Sequence, residues 1–303
     1  VTGVNTVSGV VGENMGTVTD CYNEGSVNGN DNTGGVVGFG DGDGGTVTGC
    51  YNTGSVTGNN KVGGVVGGMD DDSSGRTVIG CYNTGFVTGI SYVGGVIGEN
   101  NGTNSVVTDC YNTGGITGGT YVGGVVGHNS HTGSVTNCYN TGSVTGDERV
   151  GGVVGLSDGD AAVTNCYYYV DCCANSDSYG TALTNEQMLR AESFEGFDFE
   201  TVWTMDGNPG YPYPKLINNF HTAVYAPIAN SGDANGDGTV NAVDALVAMR
   251  YVLGVSTESL TPEQIAAADF NGDGAVNAVD TLLIMRFSLG LIEAVVSDPE
   301  QGA

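Results

Sequence analysis

Apolar residues in positions 1–166 occur in short groups that recur along the chain. Six groups read VVG or VIG, and they begin at Val10, Val36, Val65, Val96, Val125 and Val153. Six others read CYN or CYY, and they begin at Cys21, Cys50, Cys81, Cys110, Cys138 and Cys166. A VTG-like group lies between them at Val27, Val56, Val87, Ile116 and Val144. Such self-similarity is the signature of a repeat architecture.

The spacing of these groups shows where the repeat tolerates insertions. Each Cys precedes the next Val or Ile by 6 residues, and that residue precedes the next VVG or VIG group by 9. Only the segment between this group and the Val before each Cys varies, at 8, 11, 13, 11, 10 and 10 residues. Insertions therefore fall in one loop of a constant frame, as expected when each coil contacts only its neighbours.

The residue types of the repeat favour strands over helices. Val, Thr and Gly dominate, and the apolar residues do not follow the 3.6-residue period of a helix. We predict a mainly β fold, a parallel β-solenoid of about six coils of ~28 residues that pair at ~4.8 Å. In a continuous strand, side chains three residues apart point to opposite faces. The Val and the Cys of V-x-x-C can therefore both face the core only if the chain bends between them. We expect the GG and NTG glycines at the bends, with positive φ.

The segment VGGVVG…CYNTGSVTG resembles GLUG-motif repeats, over residues 1–166. This resemblance implies a fold more readily than an activity. Residues 167–220 break the period, look like the segment that commonly follows such repeats, and contain the only Trp, Trp203. We predict that they cap the open end of the solenoid. A linker at 221–229 and a domain at 230–303 complete the predicted organisation.

Two side chains recur once per coil. We predict that the repeated cysteines are buried free thiols, because parallel Cβ vectors hold stacked neighbours too far apart for disulfides. Cys172 and Cys173 are adjacent, and a disulfide from either of them to another cysteine in the cap stays an open alternative. The repeated tyrosines allow two readings, an exposed strip that stacks on sugar rings or a buried aromatic ladder, and we favour the ladder. They are Tyr22, Tyr51, Tyr82, Tyr111, Tyr139 and Tyr167.

Acidic and histidine residues in the variable loops are weak candidates for metal sites. Three groups of carboxylates offer oxygen ligands of the kind that bind calcium weakly. They are Asp41 with Asp43, residues 70–72, and Asp158 with Asp160. We favour the interpretation that these carboxylates are solvated residues at the tips of the loops. His128 and His131 lie three residues apart with no third ligand in sight, so zinc is disfavoured.

Charge and motif content narrow the function classes. A net charge of −27 with seven Lys and Arg argues against nucleic acid and against anionic membrane surfaces. No run of about 20 apolar residues predicts a membrane span. The cations of the solenoid, Lys61, Arg76 and Arg149, are scattered over different coils. The sequence also shows no recognisable pairing of a nucleophile with a general base, so a catalytic function is disfavoured. The chain opens inside a repeat, and we expect the natural protein to extend upstream.

A 22-residue segment is duplicated near the C-terminus. Residues 233–254 and 269–290 agree at 15 of 22 positions and share D-x-N-x-D-G-x-V-N-x-x-D. This spacing supplies oxygen ligands from positions 1, 3, 5, 7, 9 and 12 of a calcium loop, position 7 through its backbone carbonyl. We predict two Ca²⁺ ions. The predicted ligands are Asp233, Asn235, Asp237, Thr239, Asn241 and Asp244 in the first copy, and Asp269, Asn271, Asp273, Ala275, Asn277 and Asp280 in the second.

The segments around the two loops differ from those of a calcium sensor. We predict helices over 243–253 and 279–289, and a short third helix over 261–268 with Thr261 as N-cap and Pro262 at its first position. The residues YAPIANSG before the first loop cannot form an entering helix. A sensor needs a helix pair that opens on binding, so this function is excluded.

Residues 230–303 resemble type I dockerins, the small all-α calcium-binding modules that dock cellulosomal proteins onto cohesins of a scaffoldin. The resemblance implies a cohesin partner. Carried over by position, the cohesin-contacting residues are Ala242, Val243, Met249 and Arg250, and in the second copy Ala278, Val279, Met285 and Arg286. Because both copies match at these positions, we expect binding in either of two orientations.

Together these features predict a secreted, extracellular, non-catalytic cellulosome-associated protein. The dockerin attaches it to a scaffoldin cohesin, and the solenoid binds plant cell-wall polysaccharide or a cell-surface partner. An alternative is a polysaccharide-active enzyme with catalytic residues upstream or in the solenoid groove, and another is a structural spacer. Exposed repeat tyrosines would favour glycan binding, and buried ones the spacer.

Overall fold

The computed structural model describes residues 1–42, 44–69, 75–173, 179–205, 213–217, 232, 234, 242–254, 265, 268–270 and 276–289. The chain divides into two compact units. The first contains Val1–Met205 and Tyr213–Asn219, and the second contains Asp206–Pro212 and Phe220–Ala303.

The first unit is a parallel β-solenoid, which confirms the predicted fold class. Each complete turn supplies one short strand to each of five sheets, here named I to V in the order in which the chain enters them. Residues 5–145 form five complete turns. The described residues of a sixth turn supply strands to sheets I to IV only, so the solenoid has about five turns where about six coils were predicted.

The strands are two to four residues long, because a tight corner follows each of them. Sheet I contains Asn5–Ser8, Asp31–Gly34, Asn60–Gly63, Ser91–Gly94, Thr120–Gly123 and Glu148–Gly151. Sheet II contains Val11–Asn14, Val37–Gly40, Val66–Met69, Ile97–Asn100, Val126–Asn129 and Val154–Ser157. Sheet III contains Thr17–Thr19, Thr46–Thr48, Thr77–Ile79, Val106–Thr108, Ser134–Thr136 and Ala162–Thr164. Sheet IV contains Tyr22–Asn23, Tyr51–Asn52, Tyr82–Asn83, Tyr111–Asn112, Tyr139–Asn140, Tyr167–Tyr169 and Thr181–Leu183. Sheet V contains Val27–Asn28, Val56–Thr57, Val87–Thr88, Ile116–Thr117 and Val144–Thr145.

Equivalent residues of successive turns pair with one another, so the core consists of columns of like side chains. Val66, for example, pairs with Val37 on one side and with Ile97 on the other. All three side chains are at most 1% exposed. Stacking of β-branched residues on a pleated surface is the packing that such residues favour, and here it repeats along the whole unit.

Bends occur at the second glycine of GG and at the glycine of NTG, such as Gly64 and Gly54, but these glycines lack the positive φ that we expected. Positive φ occurs between the sheet III Val and the Cys, at Asp20, Gly49, Gly80, Asp109, Asn137 and Asn165. This bend lets both Val and Cys face the core. The GG glycines instead serve close packing, because a Cβ on Gly63 would lie 1.9 Å from the carbonyl oxygen of Val66. The prediction of positive φ at these glycines was wrong.

The tail of the first unit continues from the last turn and then runs beside sheet IV. It contains 3₁₀ helices at Val170–Cys172 and Ala191–Ser193, helix α1 at Asn185–Met188, and an antiparallel pair of Trp203–Thr204 with Lys215–Leu216. Its apolar residues share one core cluster with sheet IV tyrosines as far back as Tyr51. The tail therefore covers a side of the solenoid as well as following its last turn, which extends the expected role of an end cap.

The described residues of the second unit include two helices of 11 residues, α2 at Ala242–Val252 and α3 at Ala278–Ser288. They agree with the predicted helices to within one residue at each end. Small and apolar side chains form their common core, namely Ala234, Ala245, Ala248, Ala268, Phe270 and Ile284. The predicted third helix over 261–268 lies outside the described residues apart from Ile265 and Ala268. None of the helices in the described residues combines the length and apolar character needed to cross a membrane.

Candidate functional site

The carboxylates at position 12 of the two duplicated loops lie at the start of the helices. Asp244 in α2 and Asp280 in α3 are both fully buried. Asp280 Oδ2 accepts a hydrogen bond from the backbone N–H of Asn277 at 2.9 Å. Asn277 Oδ1 in turn accepts one from Val279 N–H at 2.8 Å, which completes a capping box at the start of α3.

These buried carboxylates have the chemistry of calcium ligands. A buried carboxylate is costly unless donors or a cation compensate its charge, and oxygen donors are what Ca²⁺ prefers. Asp269, at position 1 of the second loop, is partly buried. The remaining predicted ligands lie outside the described residues, and they are Asp233, Asn235, Asp237, Thr239, Asn241, Asn271, Asp273 and Ala275. The described donors thus fit the predicted metal.

The residues carried over as cohesin contacts fall at corresponding places on the two helices. Val243 is 51% exposed and Val279 is 47% exposed. Ala242, Ala278 and Arg250 are also exposed, whereas Met249, Met285 and Arg286 are partly buried. The two copies therefore present similar residues to solvent.

One exposed pair on these helices was missed by the sequence reasoning. Leu246 is 48% exposed and Leu282 is 54% exposed. Each lies three residues after the exposed Val of its helix, a spacing that places both side chains on one face. The identical leucines in the duplicated segment were the available signal, but the sequence analysis did not single them out.

The chain matches two known families. Residues 231–287 match the type I dockerin domain, and residues 118–145 match the GLUG motif. No curated protein and no solved structure matches the chain. Type I dockerin domains are generally calcium-binding, they imply a cohesin partner, and they belong to extracellular cellulosome components. The chain therefore contains a type I dockerin domain that supports docking to a cohesin in a cellulosome-type assembly.

The repeated cysteines of the solenoid are free thiols, as predicted. None of the eight cysteines forms a disulfide, Cys172 and Cys173 included. Burial raises the pKa of the Cys81 and Cys138 thiols well above its ordinary value. Neutral thiols in a closed core behave as small apolar groups, so this column contributes to packing.

A buried column of asparagines lies beside the cysteines and was not predicted. The first four asparagines of the CYN groups each donate from Nδ2 to the Oδ1 of the next Asn, over 2.6 to 2.8 Å, and the fifth donates to Cys172 Sγ. The same Nδ2 also donates to a glycine carbonyl two residues later. The members are Asn23, Asn52, Asn83, Asn112 and Asn140. A buried polar network is favourable only when its members are satisfied, and this amide ladder meets that condition.

The tyrosines of the CYN groups form a covered stack. Their rings lie 4.9 to 5.2 Å apart between centroids and are nearly parallel. Tyr22 is 53% exposed, but those from Tyr51 to Tyr167 are buried. Trp203 covers the stack, with its ring centroid 5.8 Å from that of Tyr139, and donates to Asp109 Oδ1 at 3.2 Å. The favoured reading of a buried ladder is confirmed, and the exposed sugar-stacking strip was wrong.

The variable loops do not bring their histidines together. His128 lies between two carboxylates, with Nδ1 3.5 Å from Glu99 Oε1 and Nε2 3.3 Å from Asp158 Oδ2. His131 is exposed. In the part of the chain that the structure describes, no group of three His, Cys, Asp or Glu side chains is arranged to hold a metal ion. Asp43 and residues 70–74 lie outside that part.

Glu99 is the centre of a charged cluster that links four coils. It is 5% exposed, and its Oε2 lies 2.6 Å from Lys61 Nζ. Burial would raise the pKa of Glu99, but the hydrogen bonds with His128 and Lys61 outweigh burial and hold the pKa below its ordinary value. Burial likewise would lower the pKa of His128, yet Glu99 and Asp158 raise it. These contacts therefore favour the charged forms of Glu99 and His128.

Proposed function

We propose that this protein is a secreted, non-catalytic subunit of a cellulosome-type assembly, in which the dockerin provides attachment and the solenoid provides a rigid binding or adhesion module. The observation that carries this proposal is the matched set of exposed residues on α2 and α3 within a type I dockerin domain. The division into 1–166, 167–220, 221–229 and 230–303 is part of the proposal.

The proposed attachment site contains two Ca²⁺ ions, held by the twelve ligands predicted from the duplicated loops. Ca²⁺ would supply the positive charge that brings the loop carboxylates together and so fixes the start of each helix. Val243 and Val279, with their neighbours at the carried-over positions, then contact the cohesin. Leu246 and Leu282 extend this apolar surface by one helical turn.

A non-catalytic solenoid agrees with the state of its charged groups. Glu99 and Asp158 raise the pKa of His128 and so favour the imidazolium form, which cannot accept a proton as a general base. Glu99 is already engaged by Lys61 and His128. The repeat tyrosines are buried, which by itself favours a spacer, but the cluster around Glu99 favours a binding module.

The attachment is tested by calorimetric titration of the full chain with a panel of type I cohesins, in calcium and in chelator. We expect binding to at least one cohesin in calcium and none in chelator. Substituting Val243→Asp and Val279→Asp together should abolish that binding. Absence of binding to the whole panel, or binding that survives chelation, would contradict the proposal.

Polysaccharide turnover is measured in parallel on the same preparation, by release of reducing ends and of unsaturated products. The proposal expects no release above that of a heat-denatured sample. Release that is lost in the Glu99→Gln variant would establish the enzyme alternative instead.

A further inference from the structure

Two columns of varied side chains lie next to each other where sheet I turns into sheet II. The sheet I column consists of the residues with left-handed backbone inside the sheet I strands, and their φ values lie between 52° and 58°. Its last four members are Lys61, Tyr92, Tyr121 and Arg149. The sheet II column contains Phe39, Gly68, Glu99 and His128, which pair in register from turn to turn. We name these two columns together the sheet I–II face.

Side chains of the two columns contact each other across the turns. Lys61 lies across the surface of Gly68, where an added Cβ would meet the Lys61 side chain at 3.2 Å. From there its Nζ reaches Glu99 at 2.6 Å and lies 5.9 Å from the centroid of the Phe39 ring. The imidazole of His128 contacts both tyrosine rings, at 5.4 Å from Tyr92 and 5.6 Å from Tyr121 between centroids. The face is thus fixed by its own contacts.

Tyr92 and Tyr121 differ from the covered tyrosine stack in the state of their phenols. Their rings are stacked at 4.8 Å, like those of sheet IV, but both side chains are half-buried instead of buried. In the covered stack, Tyr139 and Tyr167 donate to the carbonyls of Pro214 and Glu195. Within the described residues, neither the Tyr92 phenol nor the Tyr121 phenol has such a partner. Two fixed phenols thus have free hydrogen-bonding capacity at the surface.

Ring geometry decides how a ligand can use this face. Tyr92 and Tyr121 occupy one face of each other's ring, and the Arg149 guanidinium lies 5.8 Å over the Tyr121 ring. Both faces of the Tyr121 ring and one face of the Tyr92 ring are therefore covered, and the edges and hydroxyls of the pair are the groups that we expect a ligand to contact. A ligand would be recognised by hydrogen bonds to hydroxyl, ammonium, guanidinium and carboxylate groups.

Charge decides between neutral and acidic ligands. Lys61 and Arg149 are the described solenoid cations that reach the surface, since Arg76 is 1% exposed. Lys61 is already paired with Glu99. The chain has a net charge of −27, and such a field repels a polyanion. The face therefore favours a ligand with many hydroxyl groups and no charge.

We propose that the sheet I–II face binds a neutral polysaccharide lying along the solenoid axis, with Tyr92 and Tyr121 hydrogen-bonding to its hydroxyl groups. The spacing of one turn, about 4.8 Å, presents hydroxyls at regular intervals to a polymer that also repeats. This inference rests on the proposed function, because it names the ligand class of the proposed binding module. The ion pairs around Glu99 pre-organise the face and so reduce the entropy lost on binding.

The test is affinity electrophoresis of the full chain through gels that contain xylan, mixed-linkage β-glucan, xyloglucan or polygalacturonate. We expect retardation by at least one of the three neutral polymers and none by polygalacturonate. The Tyr92→Phe/Tyr121→Phe variant keeps the ring stack and removes both hydroxyls. It should lose about tenfold or more in affinity, because polar groups on the ligand are then left unpaired.

Phe86→Ala is the matched control, because Phe86 is a 71% exposed aromatic residue that precedes a sheet V strand. It should bind as the unmodified chain does. Wild-type affinity in the double Phe variant, retardation by polygalacturonate alone, or no retardation by any polymer would each overturn the inference. Cohesin binding, measured on the same variants, should be unchanged, so failure of this inference is distinguishable from failure of the attachment proposal.

Discussion

The two units of this molecule both consist of repeats, but they use repetition in opposite ways. In the solenoid, equivalent residues of successive turns contact each other, as Val37, Val66 and Ile97 do. In the dockerin unit, equivalent residues such as Val243 and Val279 are exposed. Repetition therefore builds the core of one unit and duplicates the surface of the other.

This difference indicates what each unit requires for stability. The solenoid closes its core with columns of valine and with amide and thiol columns that need no metal. The described core of the dockerin unit consists of alanines with Phe270 and Ile284. The duplicated loops of this unit collect carboxylates that repel one another without a cation, so we expect the second unit to depend on calcium and the first to be independent of it.

The largest effect on the solenoid should come from a charge in the asparagine ladder. Asn112 Nδ2 donates to Gly114 O and to Asn140 Oδ1, both at 2.8 Å. Asn112→Asp replaces this donor with an oxygen that faces two acceptors in a buried site. We expect the free energy of unfolding to fall by about 3 kcal/mol or more, measured by urea denaturation of the full chain.

The matched control is Asn59→Asp, since Asn59 also bonds to an asparagine of the preceding turn, Asn30, but at an exposed position. Its effect should stay within about 1 kcal/mol. Equal effects of the two substitutions would show that the ladder is not a source of stability in the solenoid.

A smaller effect is expected from the titration of His128. Burial opposes protonation, but Glu99 and Asp158 raise the pKa of His128 above its ordinary value of about 6.5. A raised pKa in the folded state adds stability that is complete below the unfolded-state pKa and is lost as pH rises through the folded-state pKa. The free energy of unfolding should therefore decrease above about pH 6.5.

Nuclear magnetic resonance titration of the His128 ring in the full chain measures this pKa directly. Glu99→Gln should lower it, because the substitution removes one of the two carboxylates that stabilise the imidazolium. An unshifted His128 in the unmodified chain, or a pKa that rises in Glu99→Gln, would contradict the proposed cluster.

The smallest effect should follow from disabling one copy of the duplicated surface. Val243→Asp with Met249→Asp changes only the first copy and leaves Val279 and Met285 in place. Because the second copy offers equivalent residues, cohesin affinity should change by only about threefold, close to the twofold statistical loss of one orientation. Complete loss from this single-copy change would refute binding in two orientations.

The sequence predicted the solenoid because its constraints are local and periodic. Fixed distances from Cys to Val revealed the frame, and the variable segment revealed the loop that accepts insertions. The dockerin domain was predictable for a similar reason, since ligand spacing within 12 residues is imposed by the ion. The ends of α2 and α3 followed from the duplicated loops.

Other features could not be predicted because they depend on contacts between distant residues. Trp203 reaches Asp109 and Tyr139, and no spacing in the sequence indicates this contact. Lys61, Glu99 and His128 belong to three different coils, and each occupies a position where neighbouring coils have unrelated residues. The positive φ at Asp20 and its equivalents was missed because Asp and Asn adopt this conformation as well as Gly.

The central claim is that the two units use repetition differently, one as a metal-free stack and the other as a calcium-dependent docking surface. Hydrogen exchange of the full chain, followed by mass spectrometry with calcium and with chelator, tests it most directly. We predict that chelation removes protection from peptides of α2 and α3 and leaves peptides of residues 5–169 unchanged. Protection of both helices that persists in chelator, or loss of protection throughout the solenoid, would contradict the claim.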